Sequence, residues 1–376
     1  MLYMTGGPHW LGGAQYTRNL LLALDSLPPQ NCPPIVIKIV PSRDCTNLEQ
    51  LARQSTNITV DREYLKLSSD GIRSKARLSD DCNILFPEKG VEMPSAHQTP
   101  IHWIPDFQYK YMPEYFSEEE RKQRDLRYEQ LLDNAKFLVL SSQDAIKDFK
   151  KFYPTRQSIP VEVLSFRAVL EEKDLAEPSD DLLARFSLPE NFAYCPNQMW
   201  QHKGHNILFD ALALLKRRGI LIPLVCTGAL EDYRAQDFAS TMLDKISALG
   251  LTDQIRFLGV LSREEQIQVY RKASLVVQPS RFEGWSTVVE EARALDKRIV
   301  ISDIAVHKEQ NPPRSTFFAD GVSESLAEVL GAEYQDCLDT DDRPDLELLR
   351  KNNKTRAAEF ANSFLKICTR AYMTCR

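Results

Sequence analysis

Short apolar runs recur along this chain, each followed by a loop bearing Gly, Pro or Ser and then by a helical pattern. They fall at 1–5, 35–40, 58–60, 83–86, 101–104, 137–140 and 161–164 in the first half, and at 192–195, 221–226, 255–258, 275–277, 299–302 and 316–318 in the second. A short run bounded by turn residues fits a strand buried on both faces. Strands alternating with helices build a parallel, doubly wound sheet. The expected fold is therefore α/β, in two halves. With 376 residues the chain has room for two domains, each with its own core. The expected division is 1–170, a linker at 171–190, 191–350 and a C-terminal helix at 351–376. The linker lacks strand periodicity and is rich in acids. The tail spaces Phe360, Phe364, Ile367 and Ala371 along one helical face. There is no sequence repeat of roughly 20–50 residues.

The net charge of −6 gives no reason to expect nucleic acid as a partner. Every apolar run falls short of the roughly 20 residues that span a bilayer. The start, MLYMTGGPHW, has neither the basic run nor the apolar length of a signal peptide. Eight cysteines are scattered without a C-x-x-C pair, and Cys195 and Cys226 lie inside expected strands. A reducing, cytoplasmic setting fits better than a disulfide framework. No resident metal is expected. Asp339-Thr340-Asp341 has a D-x-D spacing, but it lies in the acidic stretch 336–345, read as a solvated loop.

One segment concentrates the chemistry. Residues 278–292, QPSRFEGWSTVVEEA, follow the apolar run 275–277. Pro279, Ser280 and Gly284 mark a loop, and Ser286 or Thr287 can cap the next helix, with Glu290 completing a Thr287-x-x-Glu290 capping box. A helix N-terminus presents free N–H groups and partial positive charge to a phosphate. Glu283 and Glu291 beside it can accept hydrogen bonds from sugar hydroxyls. The plainer reading is a capped surface helix with solvated acids. Three further places support the first reading. Lys203 stands in a loop after the run 192–195 and can deliver a compact charge to a phosphate. Four glycines in 6–13, among them Gly12 and Gly13, let a backbone approach a ligand ahead of a helix from about Ala14. His102 and Asp106 sit at the carboxyl end of the run 101–104, where open α/β sheets bind ligands. Either could take a proton or orient a hydroxyl, or His102 could be a satisfied structural residue. Lys147, Lys150, Lys151 and Arg156 interleave with Phe149, Phe152 and Tyr153, which suits either an anionic membrane surface or a plain solvated helix end.

Taken in order, these residues resemble the retaining glycosyltransferases of the GT-B fold, in the large group 1 (family 4) class, over nearly the whole chain. The most specific element is Glu283-Gly284-Trp285-Ser286-Thr287-Val288-Val289-Glu290-Glu291-Ala292, a Glu, seven residues, Glu pattern followed by Ala. Lys203-Gly204, Gly12-Gly13-Ala14, Phe257-Leu258-Gly259 and the stretch from Val276 to Ser280 match in order and spacing. The resemblance implies two Rossmann-like parallel-sheet domains facing a cleft, with the C-terminal helix crossing back to the first. It implies hexosyl transfer, with retention and without a metal or other cofactor, from a nucleoside-diphosphate sugar to a hydroxyl of a glycan or lipid-linked acceptor. By position, Glu291 binds the ribose, Glu283 holds the transferred sugar and Lys203 neutralises the diphosphate. Gly284, Trp285, Ser286 and Thr287 carry the phosphate-side backbone, Gly12 and Gly13 form the opposing glycine loop, and Gly259 and Val260 mark the nucleobase. Two positions depart from the family. Gln198 stands where an Arg is usual, so Arg263 or Arg281 would have to supply that charge. Pro105-Asp106 replaces His-Asp, which divides the role beside the sugar between Asp106 and His102. The stretches WIPDFQ and MPEYFS look like bacterial members that build surface polysaccharide, working in the cytoplasm or at the inner membrane face. An epimerase or hydrolase of similar fold, or a degenerate binding protein, are the alternatives.

Overall fold

The computed structural model describes residues 2–3, 11–31, 35–38, 58–60, 83–88, 96–176, 184–235, 237–340 and 344–375. The chain forms two units, each built on a parallel sheet. The first comprises Met1–Phe107, Glu118–Val169 and Asn353–Arg376; the second comprises Gln108–Ser117 and Leu170–Asn352.

The first sheet contains β1 (Leu2–Tyr3), β2 (Ile35–Lys38), β3 (Ile58–Val60), β4 (Ile84–Glu88), β5 (Thr99–Ile104), β6 (Leu138–Leu140) and β7 (Val161–Val163), in the order 3-2-1-4-5-6-7. All of its pairings are parallel. An aromatic cluster covers part of it: Tyr16 stacks on Trp103 with centroids 4.6 Å apart, and Phe360 of the last helix, Leu346–Thr374, meets Tyr16 edge-on at 6.3 Å. Elsewhere in this unit Phe107 packs against Tyr128 and Tyr153.

The second sheet contains β8 (Ala193–Cys195), β9 (Leu224–Cys226), β10 (Ile255–Phe257), β11 (Leu275–Gln278), β12 (Ile299–Ser302) and β13 (Ser315–Phe318), in the order 10-9-8-11-12-13 and again parallel. The two-residue strand period divides its side chains between two cores. Ala193, Cys195, Leu224, Cys226, Leu275, Val277 and Val300 pack with Leu208, Leu212, Leu326 and Leu330. Tyr194, Val225, Val276, Ile299 and Ile301 pack with Ile267, Tyr270, Val289 and Ala292. Both faces are covered, so the inner strands β8, β9, β11 and β12 read as nearly continuous apolar runs. Leu170, Phe186 and Leu188, in and beside the stretch expected as a linker, pack against the second of these cores.

Several local expectations are corrected. Gly12 and Gly13 lie in the first turn of the helix Leu11–Asp25, not in a loop ahead of it; of the expected glycine loop, residues 6–10 lie outside the described residues. A first turn has no intrahelical partners for its N–H groups, so glycine is tolerated there. The helix 287–294 is capped by Ser286, whose Oγ accepts from the Val289 amide, so Thr287 is its first residue and the Thr287/Glu290 capping box does not form. The acidic stretch 336–345 is not a loop throughout: Asp336 and Asp339 belong to the helix Ser323–Asp339, and Thr340 turns back to the Asp336 carbonyl at 2.7 Å. Asp341 lies outside the described residues.

Candidate functional site

In an open parallel sheet the strand order reverses at one point, and ligands bind outside the carboxyl ends of the two strands there. In the second unit those strands are β8 and β11. The residues after β8 run through Asn197 and Gln198 to a tight turn, Gln201–Lys203; those after β11 form the loop to Ser286. Both loops that sequence reasoning singled out in this half therefore start at the switch point.

The loops are tied together by backbone. The Arg281 amide donates to the His202 carbonyl at 2.8 Å. Gly204 holds φ +73°, and a Cβ there would stand 2.0 Å from the Pro279 carbonyl oxygen. Only glycine lets the two strand ends approach this closely. Lys203 is thereby set opposite the second loop, and its Nζ donates to Glu283 Oε1 at 2.7 Å, with the side chains 16% and 10% exposed. Two residues 80 positions apart, both nominated from sequence, thus meet in one ion pair. Helix Thr287–Ala294 begins just beyond; its first amides, those of Thr287 and Val288, have no intrahelical carbonyl by position. Gly284 and Trp285 lie between, half-buried.

Beneath the pair runs a buried polar network that sequence reasoning missed. Gln278, the last residue of β11, is fully buried. Its Nε2 lies 2.8 Å from Glu283 Oε1 and 3.1 Å from the hydroxyls of Ser280 and Ser286, and its Oε1 accepts from Asn197 Nδ2 at 2.6 Å. Gln310 clamps Ser286, accepting from its amide at 3.0 Å and donating to its carbonyl at 3.0 Å, and also reaches Glu290 Oε1 at 3.3 Å. Glu290, expected as a cap, is instead fully buried against Gln310. His307 sits beside this network with its Nδ1 on the Ser302 carbonyl at 3.0 Å. A carbonyl only accepts, so Nδ1 carries the hydrogen. Burial pushes the imidazole down to about 4, against a smaller upward pull from Glu283. One signal was available: a Gln ending an otherwise apolar strand is a buried polar group that needs partners.

Glu291 is buried and closes an ion pair with Arg263 Nη1. Burial alone would lower the guanidinium; the Glu291 carboxylate outweighs it and holds Arg263 above its usual range. Arg263, nominated to replace the charge absent at Gln198, is thus committed to Glu291. Arg281, the other nominee, turns past the end of β13, its Nε 3.9 Å from Asp320 Oδ1. Gln198 is half-buried, its backbone held close to Gly228. Gly259 adopts φ +69° and its carbonyl accepts from the Gly228 amide at 2.8 Å, while the adjacent Val260 is 61% exposed.

His102 and Asp106 belong to the first unit. His102 lies inside β5, buried, and its pKa is lowered to about 4 by burial. Asp106 follows the strand, its carbonyl accepting from Tyr128 Oη at 3.2 Å. On the basic helix Gln143–Phe152, Phe149 is buried, as is Tyr153 just past its end; Lys147 pairs with Asp144 and Arg156 with Glu129 and Asp133.

Comparison with known proteins shows what this chain is similar to. Residues 185–332 match the family described as "Glycosyl transferases group 1", a stretch holding Lys203, Glu283 and Glu291. The matched stretch lies within the second unit. Among curated proteins, D-inositol 3-phosphate glycosyltransferase of Mycolicibacterium smegmatis is 33% identical over 138 residues, 37% of this chain and 29% of that protein. Mannosylfructose-phosphate synthase of Agrobacterium fabrum is 25% identical over 120 residues, 31% of this chain and 26% of that protein. The matched stretch thus spans less than a third of either relative. Among solved structures, Anabaena Alr3699/HepE in complex with UDP and glucose aligns with a TM-score of 0.65 at 15% identity, over 99% of this chain and 98% of that one. That likeness is one of fold: two parallel-sheet units of the GT-B type.

Proposed function

We propose that the protein is a metal-independent glycosyltransferase that moves a sugar, with retention, from a nucleoside-diphosphate sugar to a hydroxyl of a glycan or lipid-linked acceptor. The observation that carries this reading is the Lys203–Glu283 pair at the β8/β11 switch point, inside the stretch that matches the group 1 family. Departure of a nucleoside diphosphate from an anomeric carbon puts negative charge on the leaving phosphate and positive charge on the ring. Lys203 and the amides opening helix Thr287–Ala294 meet the first demand by preorganised electrostatics. Glu283 accepts from sugar hydroxyls and keeps a negative charge near the ring. Glu291, oriented by Arg263, accepts from the ribose, and the backbone at Gly259 and Val260 edges the base. Asp106, His102, Gly12 and Gly13 are the residues of the first unit that we nominate for the reaction. Lys203 holds Glu283 until a diphosphate competes for its ammonium.

Surface polysaccharide is the product class we infer, from the stretches after β5 and the resemblance they carry. Contact with an anionic membrane would then rest on Lys147, Lys150, Lys151 and Arg156 by charge alone, because Phe149 and Tyr153 face the core.

Calorimetry with UDP, GDP and dTDP tests the donor side: binding of one is expected, and binding of none removes the proposal. Lys203→Met should then cost roughly 3–4 kcal/mol of transition-state stabilisation, a loss of about two to three orders of magnitude in transfer rate. Binding that persists without transfer to any acceptor would favour a degenerate binding protein. That reading is motivated by Gln198 and by the commitment of Arg263 to Glu291.

A further inference from the structure

We infer that Gln278 is a positioning residue for Glu283, keeping one carboxylate oxygen tied down so that the other faces the donor sugar after Lys203 has moved to the diphosphate. The inference rests on the function proposed above. A carboxylate is an acceptor only, so the Gln278 atom 2.8 Å from Glu283 Oε1 is the amide nitrogen. That fixes the other end: Gln278 Oε1 faces Asn197, which must offer its own NH2, and does so at 2.6 Å. The polarity of the chain Asn197–Gln278–Glu283 is thus set by the charge at its end, and its members leave β8 and β11, the two strands of the switch point.

The geometry also separates the two carboxylate oxygens. Lys203 Nζ and Gln278 Nε2 both donate to Oε1, at 2.7 and 2.8 Å. Oε1 is therefore occupied twice, and Oε2, which has no hydrogen-bond partner among the described residues, is left for a hydroxyl. Lys203 is shared with the reaction, since the same ammonium must neutralise the leaving diphosphate. When it shifts, Glu283 loses its only cationic partner among the described residues. Gln278 does not shift: it is fully buried, ends a strand, and is braced by Ser280, Ser286 and Asn197. A neutral amide can hold the oxygen without cancelling the negative charge that the developing oxocarbenium needs. An arginine or lysine in its place would cancel it.

The test uses the full chain, three single variants and a Glu283→Gln background. Gln278→Met keeps the volume and removes the donor. Gln278→Glu sets a second carboxylate at hydrogen-bond distance from Glu283, so the two share a proton only when the pH is low enough. Asn197→Ala leaves Gln278 in place but frees its amide, which guards against a Gln278 variant that does not fold. Nucleoside diphosphate release is measured from UDP-glucose, GDP-mannose and dTDP-glucose, alongside calorimetry with the matching diphosphate.

Expected for Gln278→Met is a fall in kcat of about 10- to 100-fold at every pH, from a misplaced catalytic group, with diphosphate affinity within about twofold of wild type. For Gln278→Glu we expect activity that recovers as the pH falls from 8 to 5.5, a profile that a merely structural residue would not produce. In a Glu283→Gln background, Gln278→Met should add little further loss. Wild-type rates in Gln278→Met or Asn197→Ala overturn the inference, as do parallel pH profiles for Gln278→Glu and Gln278→Met. Wild-type protein that binds no diphosphate and turns over no donor overturns the proposed function itself, and this inference with it.

Discussion

Single residues decide how closely the two site loops approach. Gly204 is the clearest case, with its φ of +73° and a virtual Cβ 2.0 Å from the Pro279 carbonyl oxygen. Gly204→Ala must both adopt a left-handed conformation, which costs roughly 1–2 kcal/mol, and push the second loop away. Gly219 has φ +80° but open space around it, so Gly219→Ala carries the conformational cost alone. Urea unfolding should show Gly204→Ala as the more destabilised by at least about 1 kcal/mol, and only Gly204→Ala should also lower transfer by displacing Lys203 from Glu283. Lys203 and Glu283 themselves were legible in the sequence, because a Lys-Gly after a strand and a Glu in a Pro/Gly loop are local patterns. Gln278, Asn197 and Gln310 were not nominated, since their partners come from other strands and helices. Only the polar end of an apolar run hinted at Gln278.

At the scale of elements, the pairing of Arg263 with Glu291 joins the start of helix Arg263–Lys272 to helix Thr287–Ala294. Both groups are buried, with side chains 12% and 5% exposed. Removing one partner of a buried pair leaves an uncompensated charge, typically a loss of 3–5 kcal/mol. Arg263→Met should lower the urea midpoint accordingly and weaken nucleotide binding through a misoriented Glu291. Arg263→Met with Glu291→Gln should recover much of the stability and none of the affinity. Equal affinity in wild type and Glu291→Ala would remove the ribose assignment. Element order and type followed from the sequence because β8, β9, β11 and β12 are largely apolar runs between polar loops. Helix starts were less legible. Gly12 and Gly13 read as loop residues, yet the helix begins at Leu11. Ser286 and Thr287 both qualify as caps by residue type, and Gln310, 24 residues on, fixes Ser286 in that place. The helix Phe238–Ala248 was not foreseen: its apolar face is narrow, with Met242 and Ile246 buried.

Over the whole molecule, buried neutral histidines tie stability to pH. His102 in the first unit and His307 in the second are each lowered by burial from 6.5 to about 4, and His202 is lowered as well. Above pH 6.5 both folded and unfolded states leave these rings neutral. Below it the unfolded chain takes up protons that the folded chain refuses, so stability falls between pH 6.5 and about 4. At pH 5 each of the two should have lost about 2 kcal/mol relative to pH 7. Unfolding midpoints at the two pH values check this, and His102→Gln and His307→Gln should each flatten the dependence. The first unit is also completed from the far end of the sequence. Residues Asn353–Arg376 group with it, and Phe360, Ala361, Phe364, Ile367 and Ala371 are buried. Phe360 meets Tyr16 and Phe166, and Phe364 lies 5.2 Å from Phe86. Loss of a buried Phe side chain costs about 3–5 kcal/mol, so losing two, with the aliphatic residues between them, removes most of the 5–15 kcal/mol that holds a typical domain folded. A chain ending at Asn352 should therefore lose amide-exchange protection in β4, β5 and β6. Protection in β8, β9, β11 and β12 should persist, because none of these strands draws its core from the deleted residues. Binding of a nucleoside diphosphate should survive in the truncated chain and transfer should not. Protection lost equally in both sheets would mean that the second unit also depends on the last helix.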